Sequence, residues 1–411
     1  MIPFVYFPLA LQESLLGRGY LIPEPKLFES LSDLQAMKLA LQEAYRGLGA
    51  VSPNPLVGCV ILDSKGRFLG KGHHAKYGGP HAEVNAVEGV SAKDLQDARV
   101  FVTLEPCAHE GKTPSCAKML AKLPVKEVIF GLVDPNPLVA GQGAGILRAA
   151  GKQCLTFSEH AKKVLKLPVT EVENLDGSLR AVCEHFLWNF EHKKVFVSLK
   201  AASSLDGQLA LQSGESKWIS SEESRDIGHL LRAAHDAILV GAKTMEIDNP
   251  SLNIRSCHFP ERKNKVVVFD PQGKILAKAD QMKLAEVHCP LEVIFVVSDR
   301  LAEPVNPWGA QVLSSPLNST GFDLNLVLTK LAGLGVHSLY VEGGAETLSS
   351  FILQKAAQRL YLFQAPMILG AKSGKSWSEQ VTILNMSQRI EFKDQVFIPL
   401  SRDVFFSGRL M

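Results

Sequence analysis

The sequence lacks several features that would place it in common classes of protein. No run of about 18 apolar residues occurs, so no membrane-spanning helix is predicted. The stretch 1–12 is apolar, but it has no basic region before it and Pro3 and Pro8 interrupt it, which argues against a signal peptide. The formal charge of +2 gives no reason to expect a nucleic-acid partner. A Gly-x-Gly-x-x-Gly fingerprint after a first strand is also missing, which counts against a Rossmann domain.

Cysteine is scarce and odd in number, with seven residues spread over 411. This argues against a disulfide framework and favours a reducing, cytoplasmic environment in which some thiols bind metal. The apolar and charged fractions, 46% and 21%, are ordinary for a globular protein. A chain of this length is longer than the usual domain with a single hydrophobic core, so two domains are the first expectation.

One stretch combines the residue types of a hydrolytic zinc site. Pro80-His81-Ala82-Glu83 is followed by a strand-like run, 100–104, then by Glu105-Pro106-Cys107 and by Cys116. Imidazole and thiolate are the ligands that Zn²⁺ prefers, and three protein ligands leave a fourth position for water. We therefore predict one zinc per chain on His81, Cys107 and Cys116, with Glu83 moving a proton from the water to a leaving amine. The order matches the H-x-E…P-C-x-x-C signature of zinc deaminases.

The eight residues between the two cysteines depart from that signature. They read Ala-His-Glu-Gly-Lys-Thr-Pro-Ser, and the segment resembles the Pro-Cys-x-His-x-Gly-Lys/Arg-Thr-Pro-x-Cys pattern of the bifunctional deaminase/reductase family of riboflavin biosynthesis. The resemblance implies that Asn54, in a loop with two prolines, holds the pyrimidine ring. It also implies that His74 and Lys112 contact substrate. His109 is a further candidate for the pocket lining, with a purely structural role as the alternative.

The first half of the sequence predicts alternating helices and strands. A helix is expected over 32–47, capped by Ser32 or Asp33, and strands over 59–62, 68–73, 100–104, 125–133 and 153–157. Helices are expected after Cys116 and up to Ala150. This pattern predicts a mixed or parallel sheet with helices on both faces, a three-layer α/β/α, cytidine-deaminase-like domain whose zinc ligands lie at helix starts.

The second half carries four motifs that form a set. They are Lys-Ala-x-x-Ser-Leu-Asp-Gly from Lys200, Gly-Glu-Ser-x-Trp from Gly214, Asp-Asn-Pro-x-Leu-x-x-Arg from Asp248 and Val-Glu-Gly-Gly from Val341. The last predicts a strand, a glycine turn and a helix start, an arrangement that binds phosphates. Together the motifs resemble the reductase half of the same family, which implies a dihydrofolate-reductase-like α/β domain that binds NADPH.

The resemblance also implies roles for individual residues of this half. The nicotinamide cofactor would be lined by Trp218, Thr244, Asp248, Gly343 and Gly344. The phosphoribosyl substrate would be held by Ser216, Arg232, Leu252, Arg255 and Glu342. Arginine suits this task because its planar fork donates two hydrogen bonds to one phosphate. Hydride transfer needs no protein nucleophile, so this half chiefly binds and orients.

The sequence thus predicts an N-terminal extension (1–31), a deaminase domain (32–160), a connection (161–194) and a reductase domain (195–411). The activity that the resemblance implies is deamination of 2,5-diamino-6-(5-phosphoribosylamino)pyrimidin-4(3H)-one followed by NADPH-dependent reduction of the ribosyl group to ribityl. The partner is this phosphoribosylaminopyrimidine, with neither nucleic acid nor membrane. Two alternatives stay open, a nucleoside or nucleic-acid deaminase and a non-catalytic zinc scaffold. Oligomeric state, including a homo-oligomer, and NADPH over NADH are also open.

Overall fold

The computed structural model describes residues 21–109, 114–136, 140–216, 219–256, 258–259 and 262–411. Most of the predicted N-terminal extension, together with Lys112 and Trp218, lies outside these residues. The described chain up to Lys193 forms one compact unit and the chain from Lys194 onward forms another. These are called the N-terminal unit and the C-terminal unit below.

The N-terminal unit is built on a five-stranded sheet of order β2-β1-β3-β4-β5. Strand β1 is antiparallel to both neighbours, whereas β3, β4 and β5 are parallel, so the predicted mixed sheet is present. The strands are β1 (Gly58–Leu62), β2 (Phe68–His73), β3 (Arg99–Leu104), β4 (Glu127–Leu132) and β5 (Gln153–Thr156). The α-helices are α1 (Asp33–Ala44), α2 (Ala82–Val87), α3 (Cys116–Lys122), α4 (Gln142–Ala149), α5 (Phe157–His160), α6 (Val169–Val182) and α7 (Glu184–His192).

Helix α1 begins where the sequence predicts it. Ser32 is its N-cap: the Ser32 side chain accepts from the Gln35 backbone, and the Gln35 side chain accepts from the Ser32 backbone. This reciprocal pair satisfies two of the amide groups that a helix start leaves unpaired. A short 3₁₀ turn, Tyr45–Gly47, continues the helix.

Helices cover both faces of this sheet, which makes the three predicted layers. Alternate residues of β1, β3 and β4, such as Ile61, Val100 and Val128, form one core with α2, α3 and α4. Helix α1 packs on the opposite face of β1 and β3. The segment 161–194, predicted as a connection, forms a π-helical turn (Ala161–Leu165) and then α6 and α7. Helix α6 packs on α1 and β4 within the N-terminal unit.

The C-terminal unit is built on a nine-stranded sheet of order β11-β10-β9-β8-β14-β6-β15-β18-β17. All neighbouring pairs are parallel except those that involve β18, which is antiparallel to β15 and β17. The strands of this sheet are β6 (Phe196–Ser204), β8 (Ala237–Gly241), β9 (Lys265–Phe269), β10 (Val293–Ser298), β11 (Gln311–Ser315), β14 (Ser338–Val341), β15 (Arg359–Ala365), β17 (Phe392–Pro399) and β18 (Val404–Leu410). Two antiparallel two-stranded sheets accompany it: β7 (Gln208–Leu211) with β16 (Gly374–Ser376), and β12 (Leu317–Asn318) with β13 (Gly321–Phe322).

Helices also cover this sheet on both faces. They are α8 (Glu222–Ala233), α9 (Ala242–Asp248), α10 (Lys283–Val287), α11 (Leu324–Gly333) and α12 (Ala345–Leu353), with 3₁₀ segments Leu276–Gln281, Pro290–Glu292 and Met386–Gln388. One core joins β6, β8, β9 and β14 to α11 and α12, and a second joins β8, β9 and β10 to α9, α10 and the segment Leu276–Gln281. No helix in the described part of the chain is both long and apolar enough to cross a bilayer.

Candidate metal centre and reductase cleft

Three side chains of the N-terminal unit converge on a point that fits a metal ion. His81 is the N-cap of α2, Cys116 is the first residue of α3, and Cys107 lies in the loop after β3. The Nδ1 atom of His81 lies 3.6 Å from the Cys107 sulfur and 3.4 Å from the Cys116 sulfur. A tetrahedral Zn²⁺ with ordinary bond lengths requires about 3.6 Å between such donors. The three atoms, all within 4.8 Å of one another, therefore fit zinc.

The prediction that the ligands lie at helix starts holds for His81 and Cys116 but is wrong for Cys107. This residue lies in a loop and is held by the start of α3: the Ser115 hydroxyl and the Ala117 backbone both donate to its carbonyl oxygen. The Cys116 backbone also donates to the Cys107 sulfur, over 3.3 Å. These contacts hold the two thiols side by side although eight residues separate them.

The pKa values of the two thiols are shifted in opposite directions. Hydrogen bonds from Cys116 and His81 lower the pKa of Cys107 to about 4, although burial opposes this. The hydrogen bond to Cys107 and burial both raise the pKa of Cys116. A bound zinc ion would supply the positive charge that allows both to be thiolates.

Glu83 lies in the first turn of α2 with only 3% of its surface exposed. Burial is the main cause that raises its pKa, and the nearby charge of Cys107 adds to the effect. A carboxylate with a raised pKa accepts a proton more readily at neutral pH than an exposed one does.

Gly72 allows α2 to lie close to β2, because a Cβ there would stand 2.4 Å from the Ala86 nitrogen.

Glu105 is a buried carboxylate to which the sequence analysis gave no role. Its two oxygens accept hydrogen bonds from the backbone of Gly141 and Ala144, at 3.0 and 3.1 Å. It thereby joins the start of α4 to the loop that carries Cys107. This role could have been inferred from the sequence, because Glu105 stands two positions before Cys107 and a glycine, Gly141, precedes helix α4.

Asn54 and His74 lie beside the metal ligands. The Asn54 amide nitrogen is 3.2 Å from His74 Nε2, and His74 Nδ1 is 2.9 Å from the carbonyl oxygen of Pro80. The rings of His74 and His81 meet edge to face with centroids 5.2 Å apart. His109 is exposed. Asn54 and His74 thus lie around the same centre as the candidate metal ligands.

The C-terminal unit contains a cleft of about 1110 Å³. It is lined by every predicted reductase residue that the structure describes: Ser216, Arg232, Thr244, Asp248, Leu252, Arg255, Glu342, Gly343 and Gly344. These residues come from five separate segments of the chain. The structure therefore brings them together around one cleft, whose volume is in the upper range of small-molecule and cofactor sites.

An ion pair lies in the wall of this cleft. Arg232 Nε and Nη2 donate to the two carboxylate oxygens of Glu342 at 2.6 and 2.7 Å, and Nη1 donates to the Asn253 carbonyl oxygen. Burial raises the pKa of Glu342, but the charge and hydrogen bonds of Arg232 outweigh burial and lower it to about 2. Arg255 is exposed and donates to the Asn253 side chain at 3.1 Å. Arg255 is thus the more accessible of the two guanidinium groups for an anionic ligand.

The glycine turn after β14 fits the phosphates of a dinucleotide. Gly344 is the N-cap of α12, and residues 343–347 line the cleft. The first backbone amides of a helix are a common binding site for phosphate. A Cβ on Gly343 would stand 2.4 Å from the Thr347 side chain, so only glycine fits there. The backbone can therefore approach a phosphate without an intervening side chain.

Lys200, His229 and Phe363 also line the cleft, although the sequence analysis assigned them no role. The Lys200 ammonium lies 5.9 Å from the centre of the Phe363 ring. Burial lowers the pKa of Lys200, and the charge of Glu342 partly offsets this. The available signal was the lysine that opens the Lys-Ala-x-x-Ser-Leu-Asp-Gly motif, which lies within β6.

Comparisons with known proteins agree with this division. The family model of the cytidine and deoxycytidylate deaminase zinc-binding region matches residues 31–132, and that of the RibD C-terminal domain matches residues 195–405. The riboflavin biosynthesis protein RibD of Actinobacillus pleuropneumoniae is 36% identical over 89% of this chain and 92% of its own length.

Two solved structures are similar over nearly their full length. RibD of Acinetobacter baumannii, at 32% identity, covers 92% of this chain and 99% of its own with a TM-score of 0.74. A deaminase/reductase of Thermotoga maritima, at 31% identity, covers 92% and 98% with a TM-score of 0.75. Fold and sites together define a zinc-dependent deaminase domain followed by a dihydrofolate-reductase-like reductase domain. The chain belongs to the RibD family of riboflavin biosynthesis proteins.

Proposed function

We propose that this chain catalyses two successive steps of riboflavin biosynthesis. The first is hydrolytic removal of the 2-amino group of the diamino phosphoribosylaminopyrimidine. The second is NADPH-dependent reduction of the ribosyl group of the resulting uracil to ribityl. The observation that carries the proposal is the pairing, in one chain, of a His-Cys-Cys cluster beside a buried glutamate with a separate cleft suited to a dinucleotide.

In the deaminase half, His81, Cys107 and Cys116 hold zinc, which when bound supplies a water molecule of lowered pKa. Glu83 takes the proton of that water and delivers it to the leaving amine. Its burial beside the ligands supports this role, because a proton held there is not exchanged freely with solvent. Asn54 holds the pyrimidine ring, and His109 and Lys112 are further residues of the substrate pocket.

In the reductase half, NADPH when bound supplies the hydride, and the protein binds and orients. Trp218, Thr244, Asp248 and the turn Gly343–Gly344 contact the cofactor. The substrate is held by Ser216, Arg232, Leu252, Arg255 and Glu342. The clustering of the described members around a single cleft supports this assignment. Zinc-bound thiolates require reduced cysteines, in keeping with the cytoplasmic location that the sequence predicts.

Two other functions explain fewer of the observations. A nucleoside or nucleic-acid deaminase has no use for the second cleft. A zinc scaffold without activity has no use for a buried glutamate beside the metal, nor for a phosphate-binding glycine turn. The two-step enzyme accounts for all three features.

The proposal is tested by supplying each substrate separately to wild-type protein and to Glu83→Gln. Glutamine keeps the size of the side chain but cannot carry the proton, so deamination is expected to fall by about 10²–10⁴-fold. Zinc content is expected to stay unchanged. The variant is expected to oxidise NADPH normally with the deaminated uracil compound but not with the diamino compound.

Glu88→Gln is the matched control, because Glu88 follows the same helix but is exposed. It is expected to behave like wild type in both assays. If Glu83→Gln oxidised NADPH equally well with either compound, the order of the steps or the role of Glu83 would be wrong.

A further inference from the structure

The side chain of His74 is committed to two protein partners and only 3% of its surface is exposed. The Pro80 carbonyl oxygen can only accept, so His74 Nδ1 carries a hydrogen and donates it. The Asn54 amide nitrogen can only donate, so His74 Nε2 accepts from it. Both bonds are satisfied by one neutral tautomer of His74, and neither ring nitrogen is left for a substrate.

These two bonds fix the orientation of the Asn54 amide. An isolated amide can turn by half a rotation, which exchanges its oxygen and its nitrogen and reverses what it offers to a ligand. One hydrogen of Nδ2 is donated to His74, and this sets which side of the amide carries the oxygen. The second hydrogen of Nδ2 remains, and the oxygen Oδ1 has no hydrogen-bond partner among the described residues. Asn54 therefore presents a hydrogen-bond acceptor beside the metal ligands.

We infer that His74 is a positioning residue that acts through Asn54 and makes the deaminase pocket select a ring N–H or amino group at this point. This role takes the place of the direct substrate contact that the family resemblance implied for His74. The inference rests on the proposed deaminase activity. It adds that the Asn54 oxygen recognises a hydrogen-bond donor of the pyrimidine, and it explains why the amide cannot turn and place its nitrogen there instead.

The bond of His74 to Pro80 connects it with the metal site. Pro80 directly precedes the ligand His81, and the ring of His74 packs against that of His81. A change at His74 can thus act through Asn54 or through the zinc ligand. Two substitutions separate these routes. The side-chain amide of asparagine lies where histidine has Nδ1, and the side-chain amide of glutamine lies where histidine has Nε2.

His74→Asn keeps a donor for the Pro80 carbonyl but removes the acceptor for Asn54. His74→Gln keeps an acceptor for Asn54 but loses the bond to Pro80. If His74 acts through Asn54, His74→Asn is expected to lower kcat/KM for deamination by about fivefold or more, the effect of one hydrogen bond. His74→Gln is expected to stay closer to wild type.

A double-mutant cycle on the zinc-loaded, full-length protein provides the decisive test. Ammonia release is measured for wild type, Asn54→Ala, His74→Asn and the double variant, with zinc content determined for each. The double variant is expected to match Asn54→Ala, because His74 has nothing left to position. Multiplied effects in the double variant would show direct substrate contact and overturn the inference.

Two further outcomes would also overturn it. One is loss of zinc in His74→Asn, which keeps the bond to Pro80 and so should keep the metal. The other is a larger loss of activity in His74→Gln than in His74→Asn. Failure of the proposed function looks different, because wild-type protein would then release no ammonia from the diamino compound.

Discussion

Replacing Glu43 with glutamine is expected to destabilise the N-terminal unit by about 2–3 kcal/mol at neutral pH. The Glu43 carboxylate lies at the end of α1 with a side-chain exposure of 4%. It contacts the Lys71 ammonium at 2.8 Å, Arg46 Nε at 2.8 Å and His73 Nδ1 at 3.4 Å. Lys71 and His73 lie on β2, so the carboxylate joins this strand to the helix.

The magnitude follows from the pKa of this carboxyl. Burial raises the pKa of Glu43, but hydrogen bonds from His73 and Lys71 and the charges of Lys71 and Arg46 outweigh it and lower the pKa from 4.5 to about 2. A depression of this size corresponds to about 3 kcal/mol, and glutamine retains part of the hydrogen bonding. Because the folded pKa lies below the unfolded one, this stability is complete above about pH 4.5 and is lost as the pH falls toward 2.

The assay is urea unfolding read by hydrogen exchange of peptides from β1 and β2, which reports on the N-terminal unit alone. The difference between wild type and Glu43→Gln is expected to shrink when the measurement moves from pH 7 to pH 3. Glu24→Gln is the matched control: Glu24 contacts the same Lys71 at 2.5 Å but is 59% exposed, so a change below about 1 kcal/mol is expected. Equal effects of the two substitutions, or a difference independent of pH, would refute the reasoning.

Three further predictions concern the sites and their support. Cys116→Ser is expected to reduce bound zinc strongly in metal analysis, and wild-type zinc content would show that Cys116 is not the third ligand. Arg255→Ala is expected to raise KM or lower kcat/KM of the reductase by about tenfold or more, the loss of one charge-assisted phosphate contact, while ammonia release stays unchanged; an unaffected reductase would make Arg255 a surface residue only. Gly72→Ala is expected to destabilise the N-terminal unit by about 1–3 kcal/mol and to impair deamination, because its Cβ meets backbone of α2. Gly145→Ala, where a Cβ meets nothing, is the control for urea unfolding, and equal stability of the two variants would contradict the packing argument.

Much of the secondary structure was determined by the sequence, because its signals are local. The strand Phe68–His73 has the predicted bounds. The helix after Ser32 begins at its predicted cap for the same reason. The cluster of His81, Cys107 and Cys116 was also predictable, because ligand type and spacing restrict a metal site more than any propensity does.

The tertiary structure decided which distant groups meet. The sequence does not show that Arg232 and Glu342, 110 positions apart, form a buried pair, nor that Lys200 lies beside them. Their contact depends on strand order: β14 lies between β8 and β6 and so brings Glu342 next to segments that precede it by more than a hundred residues.

Burial and hydrogen-bond direction were likewise decided only in three dimensions. From the sequence, a histidine in a loop is equally compatible with a substrate contact and with a supporting role. Only the bonds of His74 to Asn54 and Pro80, seen in three dimensions, favour the supporting role that we infer. Glu105 is similar, since its role depends on helix α4 returning to the loop that carries Cys107. Sequence fixes which chemical groups are available, because residue type and local spacing are written along the chain. Packing decides which of their polar atoms remain free to act, because burial and partners depend on segments that are distant in sequence.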